Sequence, residues 1–357
     1  MKKKRLISAF AALSVMVFLS IGTIYLLSTQ FVGFADYINE GIAQDFRRFM
    51  AQTVGSLDFS LFEMLIISLA FIIAFVVILA RRAFRGGNGI RFVINFVAII
   101  LLLYSGHLLA LGVGYRTTAV DEKMDLPDTQ VTDDRLVKIT TALVEEINQL
   151  ADNMPRNAGG VFVSTYSYND ISQLICESYN KLALEYGFAE GYDSSAKKFE
   201  TGPIMSYLGI SGIYTYYTGE ANVNSEYPDY VQIFTAAHEM CHQRGILREN
   251  EANFIAYLIT STSDDPQLRY SGALNMFEHF ASALYKTNKE AYYSLADTLS
   301  GYAWTDIRES GAVYKKYSDT LLERISNKIN NLYLQSNGTE GVISYSKVVE
   351  LVVAYYE

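Results

Sequence analysis

Three long apolar runs occupy the first third of the chain, and a mixed, helix-period pattern fills the rest. The runs cover about 6–28, about 61–80 ("LFEMLIISLAFIIAFVVILA") and about 92–113 ("FVINFVAIILLLYSGHLLALGV"). Each approaches the roughly 20 residues that cross a hydrocarbon core. Three transmembrane helices are therefore expected within a membrane domain of residues 1–115. The first run follows "MKKKR", which also suits a signal peptide. It is long for a signal core and lacks a small-x-small cleavage site before Gln30, so it reads as a retained span.

Residues 116–130, "RTTAVDEKMDLPDTQ", read as a polar linker. From Thr132, Leu136, Ile139, Leu143, Ile147 and Leu150 recur at three- and four-residue spacing, the signature of an amphipathic helix. A second helix is expected over 169–186, ended by Gly187. "ISGIYTYYTG", 210–219, is rich in β-branched and tyrosine residues and reads as a short strand. "GEANVN", 219–224, then leads into a helix over 229–244, opened by Pro228 and closed by Gly245. Further helices are expected at about 248–262, 272–286, 289–299, 313–334 and 344–355. The domain of residues 131–357 is thus mainly α-helical with a small sheet, an α+β pattern.

Lysine and arginine in the short flanks set the orientation. Lys2, Lys3, Lys4 and Arg5 precede the first run, and Arg81, Arg82, Arg85 and Arg91 lie between the second and third. The intervening loop mixes Asp36, Glu40, Asp45 and Asp58 with Arg47 and Arg48. The N-terminus is expected in the cytoplasm and residues 131–357 outside it, making this a multi-pass cell-membrane protein. Across all 357 residues the net charge is −9, and no basic stripe marks the C-terminal part. That excludes nucleic acid as a partner. The two cysteines, Cys176 and Cys241, read as buried free thiols, with no disulfide framework.

Two of only four histidines fall in "AAHEMCHQRGILRENEANFIAYL", 236–258. On a helix His238 and His242, four apart, share one face, and Val231, Phe234 and Thr235 turn that face inward. They can offer two imidazole nitrogens to one zinc ion. Glu239 is rotated by about 100° from His238, beside the metal rather than on it, where a base for metal-bound water belongs. A catalytic zinc takes three protein ligands. Arg248 stands where a third histidine would fall after Gly245, and an arginine cannot ligate. The next helix supplies two acids. Glu251 shares a stripe with Leu247, Phe254, Ile255 and Leu258, whereas Glu249 shares the more polar side of Asn253, Ala256 and Thr260. A carboxylate on an apolar stripe needs a partner, so Glu251 is the expected ligand. Its alternative is a buried salt bridge with Arg248 or Arg244. Cys241 could ligate only if the helix turned a histidine away.

The stretch "HEMCHQRGILRENEANFIAYL", together with "YTGEANVN" (217–224) and "GVISYSKVVEL" (341–351), resembles the bacterial membrane protein family designated domain of unknown function 3810. That resemblance implies N-terminal spans followed by a gluzincin-like, zincin-like metallopeptidase domain. It implies His238, His242 and Glu251 as zinc ligands and Glu239 as base, in agreement with the residue-level reading.

The expected function is that of a membrane-anchored zinc metallopeptidase acting on a peptide or protein outside the cytoplasm. The alternative is a membrane-anchored binding or assembly protein with a structural zinc. His279, Tyr270 and Tyr345 are candidates for stabilising an oxyanion. His107, within the third run, reads as a packed histidine rather than a functional one. The strand near 213–218 is placed above the site to hold an extended peptide by strand addition. "GEANVN" is either one wall of that site or an ordinary turn.

Overall fold

The computed structural model describes residues 8–55, 57–341 and 347–357. The basic cluster Lys2, Lys3, Lys4 and Arg5, the start of the first run and Tyr345 lie outside the described residues.

α1 (Ala9–Ser28) is capped by Ser8, whose side chain accepts the Ala11 N–H. Two short helices that the charge pattern conceals follow it, α2 (Val32–Glu40) and α3 (Ile42–Gly55). The second apolar run is divided at Ser68 into α4 (Leu61–Ile67) and α5 (Leu69–Arg85), bent by 63°. α6 (Gly89–His107) continues through a π-turn at Leu108–Gly112 and a 3₁₀ turn at Gly114–Arg116. Two helices, Ala9–Ser28 and Gly89–Arg116, are therefore long and apolar enough to cross a membrane, and three if the bent pair forms one span. α5 buries none of its side chains, as suits a helix solvated by lipid.

The segment read as a linker is partly structured. It forms α7 (Val120–Lys123), with Val120 and Met124 buried in the main core. Then come α8 (Asp133–Ala151), α9 (Tyr168–Tyr186), β1 (Lys197–Phe199), α10 (Gly202–Tyr207), β2 (Gly212–Thr215) and β3 (Glu220–Asn224). After the sheet follow α11 (Asp229–Gln243), α12 (Glu249–Ser261), α13 (Pro266–Thr287), α14 (Lys289–Ala296), α15 (Gly301–Tyr317), α16 (Leu321–Ser336) and α17 (Val348–Tyr355). The expected helix over 313–334 is two. Asp319 takes a left-handed φ of 59°, and Thr320 caps the second helix by accepting the Glu323 N–H. A residue in that conformation ends one helix while the cap begins another.

The sheet has the order β1-β3-β2, with β1 parallel and β2 antiparallel to β3. "GEANVN" is thus neither wall nor turn but the central strand. Its polar side chains fasten the membrane-proximal helices. The Glu220 carboxylate accepts the Leu61 and Phe62 N–H groups at the start of α4, at 2.8 and 2.9 Å. Asn222 Oδ1 accepts the Ser60 hydroxyl at 2.6 Å. In return the Glu63 carboxylate accepts the Glu200 and Thr201 N–H groups. A carboxylate at a helix N-terminus satisfies orphan donors and opposes the helix dipole, contributing up to about 2 kcal/mol when buried. Above this sheet α11, α12 and α13 pack on one another, and α8, α9 and α17 close the core around them.

Candidate metal centre

α11 starts after Pro228 and is buried throughout Ile233–Gln243, so every side chain of its second half meets protein or cavity. His238 and His242 lie edge to face, their ring centres 4.6 Å apart. Gly245 ends the turn with φ 91°, where a Cβ would overlap the Arg47 guanidinium. The chain then reverses into α12, which has Arg248 at its N-cap and Glu249 as its first residue.

Glu249, not Glu251, faces the histidines. Its Oε2 lies 3.2 Å from His238 Nε2 and 3.5 Å from His242 Nε2. One ligand atom from each of the three residues falls within 4.8 Å of the others, and all three residues are buried. Glu251 instead accepts from Arg248 Nη1 at 2.7 Å and from the Val120 N–H at 3.1 Å. The apolar stripe pointed to Glu251, but α12 is buried on all sides, its polar side included. The apolar stripe faces the core proper. The polar side, with Glu249 and Asn253, faces a cavity in it.

The donor set fits a metal ion. The His242 Nδ1 is 2.8 Å from the Ile246 carbonyl, a bond that fixes the tautomer and leaves Nε2 as the ligand nitrogen. Two imidazoles and a carboxylate are a set that zinc accepts. Burial opposes the charged form of Glu249, but His242 and then His238 hold its carboxyl well below the usual range. For His242, burial lowers the pKa, yet Glu249 outweighs it and lifts it to about 9.

Glu239 stands beside this group. Burial raises its carboxyl above the usual range, partly offset by His238 and His242, and the Tyr214 N–H donates to it. β2 comes this close because residue 212 is glycine. A Cβ there would lie 2.6 Å from Glu239 Oε1 and would overlap Thr235. Sequence reasoning missed Gly212, and its signal was the glycine interrupting a β-branched and aromatic run.

The cavity, about 930 Å³, is lined by β2, the site face of α11, Glu249, Asn253, Asn275, His279, the cavity-facing side of α16 and the end of α6. Burial, with the neighbouring His238 adding to it, brings His279 down to about 4, so it is a neutral imidazole. Tyr270 is taken out of contention, since its hydroxyl donates to Asp306 away from the cavity. His107 is packed among Tyr104, Tyr216 and Tyr333, and it also reaches the cavity wall. Cys176 and Cys241 are both free and buried.

Membrane-type helices joined to a helical domain that gathers two histidines and a glutamate around a cavity define a membrane-associated protein with a candidate metal centre. A family model described as "Protein of unknown function (DUF3810)" matches residues 38–353, and the chain belongs to that family. No curated protein and no solved structure matches it.

Proposed function

We propose that this protein is a membrane-anchored, zinc-dependent peptidase whose ligands are His238, His242 and Glu249 and whose general base is Glu239. The observation that carries the reading is the placement of a buried acid, Glu239, beside a three-residue donor group that opens onto a cavity. Zinc, when bound there, polarises a carbonyl and makes water acidic enough to lose a proton near neutral pH. Glu239 then takes a proton from the attacking water. It passes that proton to the amide nitrogen as the C–N bond breaks, leaving a carboxylate and an amine. His279, neutral and facing the cavity, can donate to the developing oxyanion.

β2 supports a peptide as substrate. It is an edge strand, and Asn224 N–H bonds to Ser211 O, so the antiparallel alternation turns the backbone groups of Gly212 and Tyr214 outward. An extended chain can add to that edge beside Glu239. The parallel-antiparallel arrangement of this small sheet beside a helix of H-E-x-x-H type also fits a zincin-like domain.

We read the chain as crossing the membrane three times. Ser8 bonds to Asn95 at one end of the α1–α6 pair, and Arg116 bonds to Tyr25 at the other, so these helices run parallel. Two parallel crossings require a return crossing, for which the bent α4–α5 pair is available. Arg81, Arg82, Arg85 and Arg91 between α5 and α6 favour the cytoplasm for that loop. Arg47 and Arg48 on the opposite side are engaged by the fold, Arg47 in backbone hydrogen bonds and Arg48 over the Tyr192 ring. The site then lies outside the cytoplasm.

The experiment is zinc content by elemental mass spectrometry on the full chain, beside cleavage of a mixed peptide library. About one zinc, lost in His238→Ala, and cleavage lost in Glu239→Gln with zinc retained are expected. Zinc bound without cleavage under any condition points instead to a binding or assembly protein with a structural metal.

A further inference from the structure

The cavity that holds the candidate metal centre reaches the helix that begins as α6. His107, Leu111 and Tyr115, at the end of the helix that begins as α6, form one of its walls. The turn after β2 reaches down beside the same helix, where the Tyr216 hydroxyl donates to the Leu103 carbonyl at 3.0 Å. Leu103 lies within the third apolar run, so this turn reaches the depth of the span itself. Tyr104, His107, Tyr216 and Tyr333 pack there with ring centres 5.6 to 5.8 Å apart across the His107 ring. Aromatic rings with a polar end collect at the membrane–water interface.

The facing wall is α16. Leu321, Leu322, Ile325, Ile329 and Leu332 fall on one side of it at helical spacing. They are 47% to 68% exposed, so nothing in the fold covers them. Arg324 and Lys328 border that side. The helix is fastened near its two ends, by Thr320 Oγ1 to the Tyr207 carbonyl and by Tyr333 against His107 and Tyr115. An amphipathic helix with an uncovered apolar face and basic borders, fixed to the end of a span, has the form of a helix lying in the bilayer interface.

We propose that the cleft opens at the bilayer surface and takes the juxtamembrane stretch of a membrane-anchored polypeptide, cutting it close to its anchor. The cleavage step rests on the peptidase reading above. The chemistry of the walls selects this occupant. The edge of β2 offers main-chain pairing at Gly212 and the Tyr214 carbonyl, the Tyr214 N–H being held by Glu239, and a polypeptide can use it where an acyl chain cannot. Leu322, Ile325 and Ile329 receive apolar side chains. No lysine or arginine is among the described residues that line the cavity, whereas Glu239 and Glu249 are, so its walls away from the metal group offer a phosphate headgroup no counter-charge. Continuity of the cavity with the span delivers a tethered chain directly. A soluble chain would have to descend to headgroup depth.

The test uses the full chain in phosphatidylethanolamine–phosphatidylglycerol vesicles and has two readouts. For the first, Ile329→Cys and Val163→Cys variants carry a fluorophore, the native cysteines being buried. Val163 is half-exposed at the far end of α11, next to Ser164, which bonds to Asp229. Strong quenching by spin-labelled lipid at position 329 and little at 163 is expected. Equal, weak quenching at both overturns the proposal. For the second, mixed-sequence peptides carry an N-terminal palmitoyl group, and the cut bonds are located by mass spectrometry. Cuts clustered within a short, fixed distance of the acyl group are expected, with acetylated peptides of the same sequences cut far more slowly. Cuts spread evenly along both sets overturn the tethered substrate and leave the peptidase reading standing. No cut in either set with zinc bound overturns the peptidase reading, and the tethered substrate with it.

Discussion

Replacing each of the two acids that open α12 separates ligand from scaffold. Glu249→Ala removes one of three groups that converge within 4.8 Å. A four-coordinate zinc site contributes about 10–16 kcal/mol, so one ligand accounts for about 3 kcal/mol, or about a hundredfold in affinity. Glu251→Ala leaves the metal group intact. It strips the carboxylate from Arg248, which keeps its bonds to the Tyr115 and Thr117 carbonyls, and the acceptor from the buried Val120 N–H. Losing a charge partner and orphaning a buried amide costs about 1–3 kcal/mol of stability. Zinc affinity by competition with a chromophoric chelator, and thermal melting of the metal-free protein, read the two effects separately. Glu249→Ala is expected to lose zinc, and Glu251→Ala to melt earlier while keeping zinc affinity within a few-fold. If Glu251→Ala lost zinc and Glu249→Ala kept it, the assignment from geometry would be refuted and the apolar-stripe argument restored.

Gly219→Ala should be severe. The residue has φ 70°, and a Cβ there would enter the backbone of Met50 and Ala51. Left-handed strain alone costs about 1–2 kcal/mol, and α3 must also be displaced, so earlier melting and faster proteolysis near residue 50 are expected. Glu220→Ala removes the acceptor for the first N–H groups of α4 and should cost about 1–2 kcal/mol, seen as faster amide exchange at Leu61 and Phe62. Cys241 should resist alkylation at pH 8. Burial pushes its thiol up to about 12, against the opposing charge of Arg244, so iodoacetamide labelling is expected only after unfolding.

The helix carrying His238 and His242 is legible in the sequence because its signals agree: Pro228 before it, Gly245 after it, and inward-facing apolar residues between. Other elements are hidden for physical reasons. α2 and α3 carry acids and arginines that read as a solvated loop, yet Arg47 is fully buried, with Nη1 and Nη2 bonded to carbonyls. The break between α15 and α16 was written as Thr320 three residues before Glu323, a capping pattern outweighed by continuous helical periodicity on both sides. The acid that faces the histidines, Glu249, was not legible because periodicity tells which side of a helix is apolar, not which side borders a cavity. Around a buried metal centre the polar side is the one that faces the chemistry.

The membrane-proximal helices and the metal-centre domain share buried polar contacts rather than a simple tether. Arg47 bonds to the Ala110 carbonyl at 3.0 Å and to the Asn39 carbonyl at 2.7 Å, and Asn39 in turn bonds to Gly245 O at 3.2 Å, at the end of α11. On the other flank Glu220 and Asn222, in the strand paired with β2, bond to α4 and Ser60. Buried polar groups are costly when unpaired. The strand that supports β2 and the turn after His242 therefore both depend on residues before position 116. These contacts hold the cleft in a fixed position relative to the membrane-proximal helices, a geometry that the proposed cutting of a membrane-tethered chain would use.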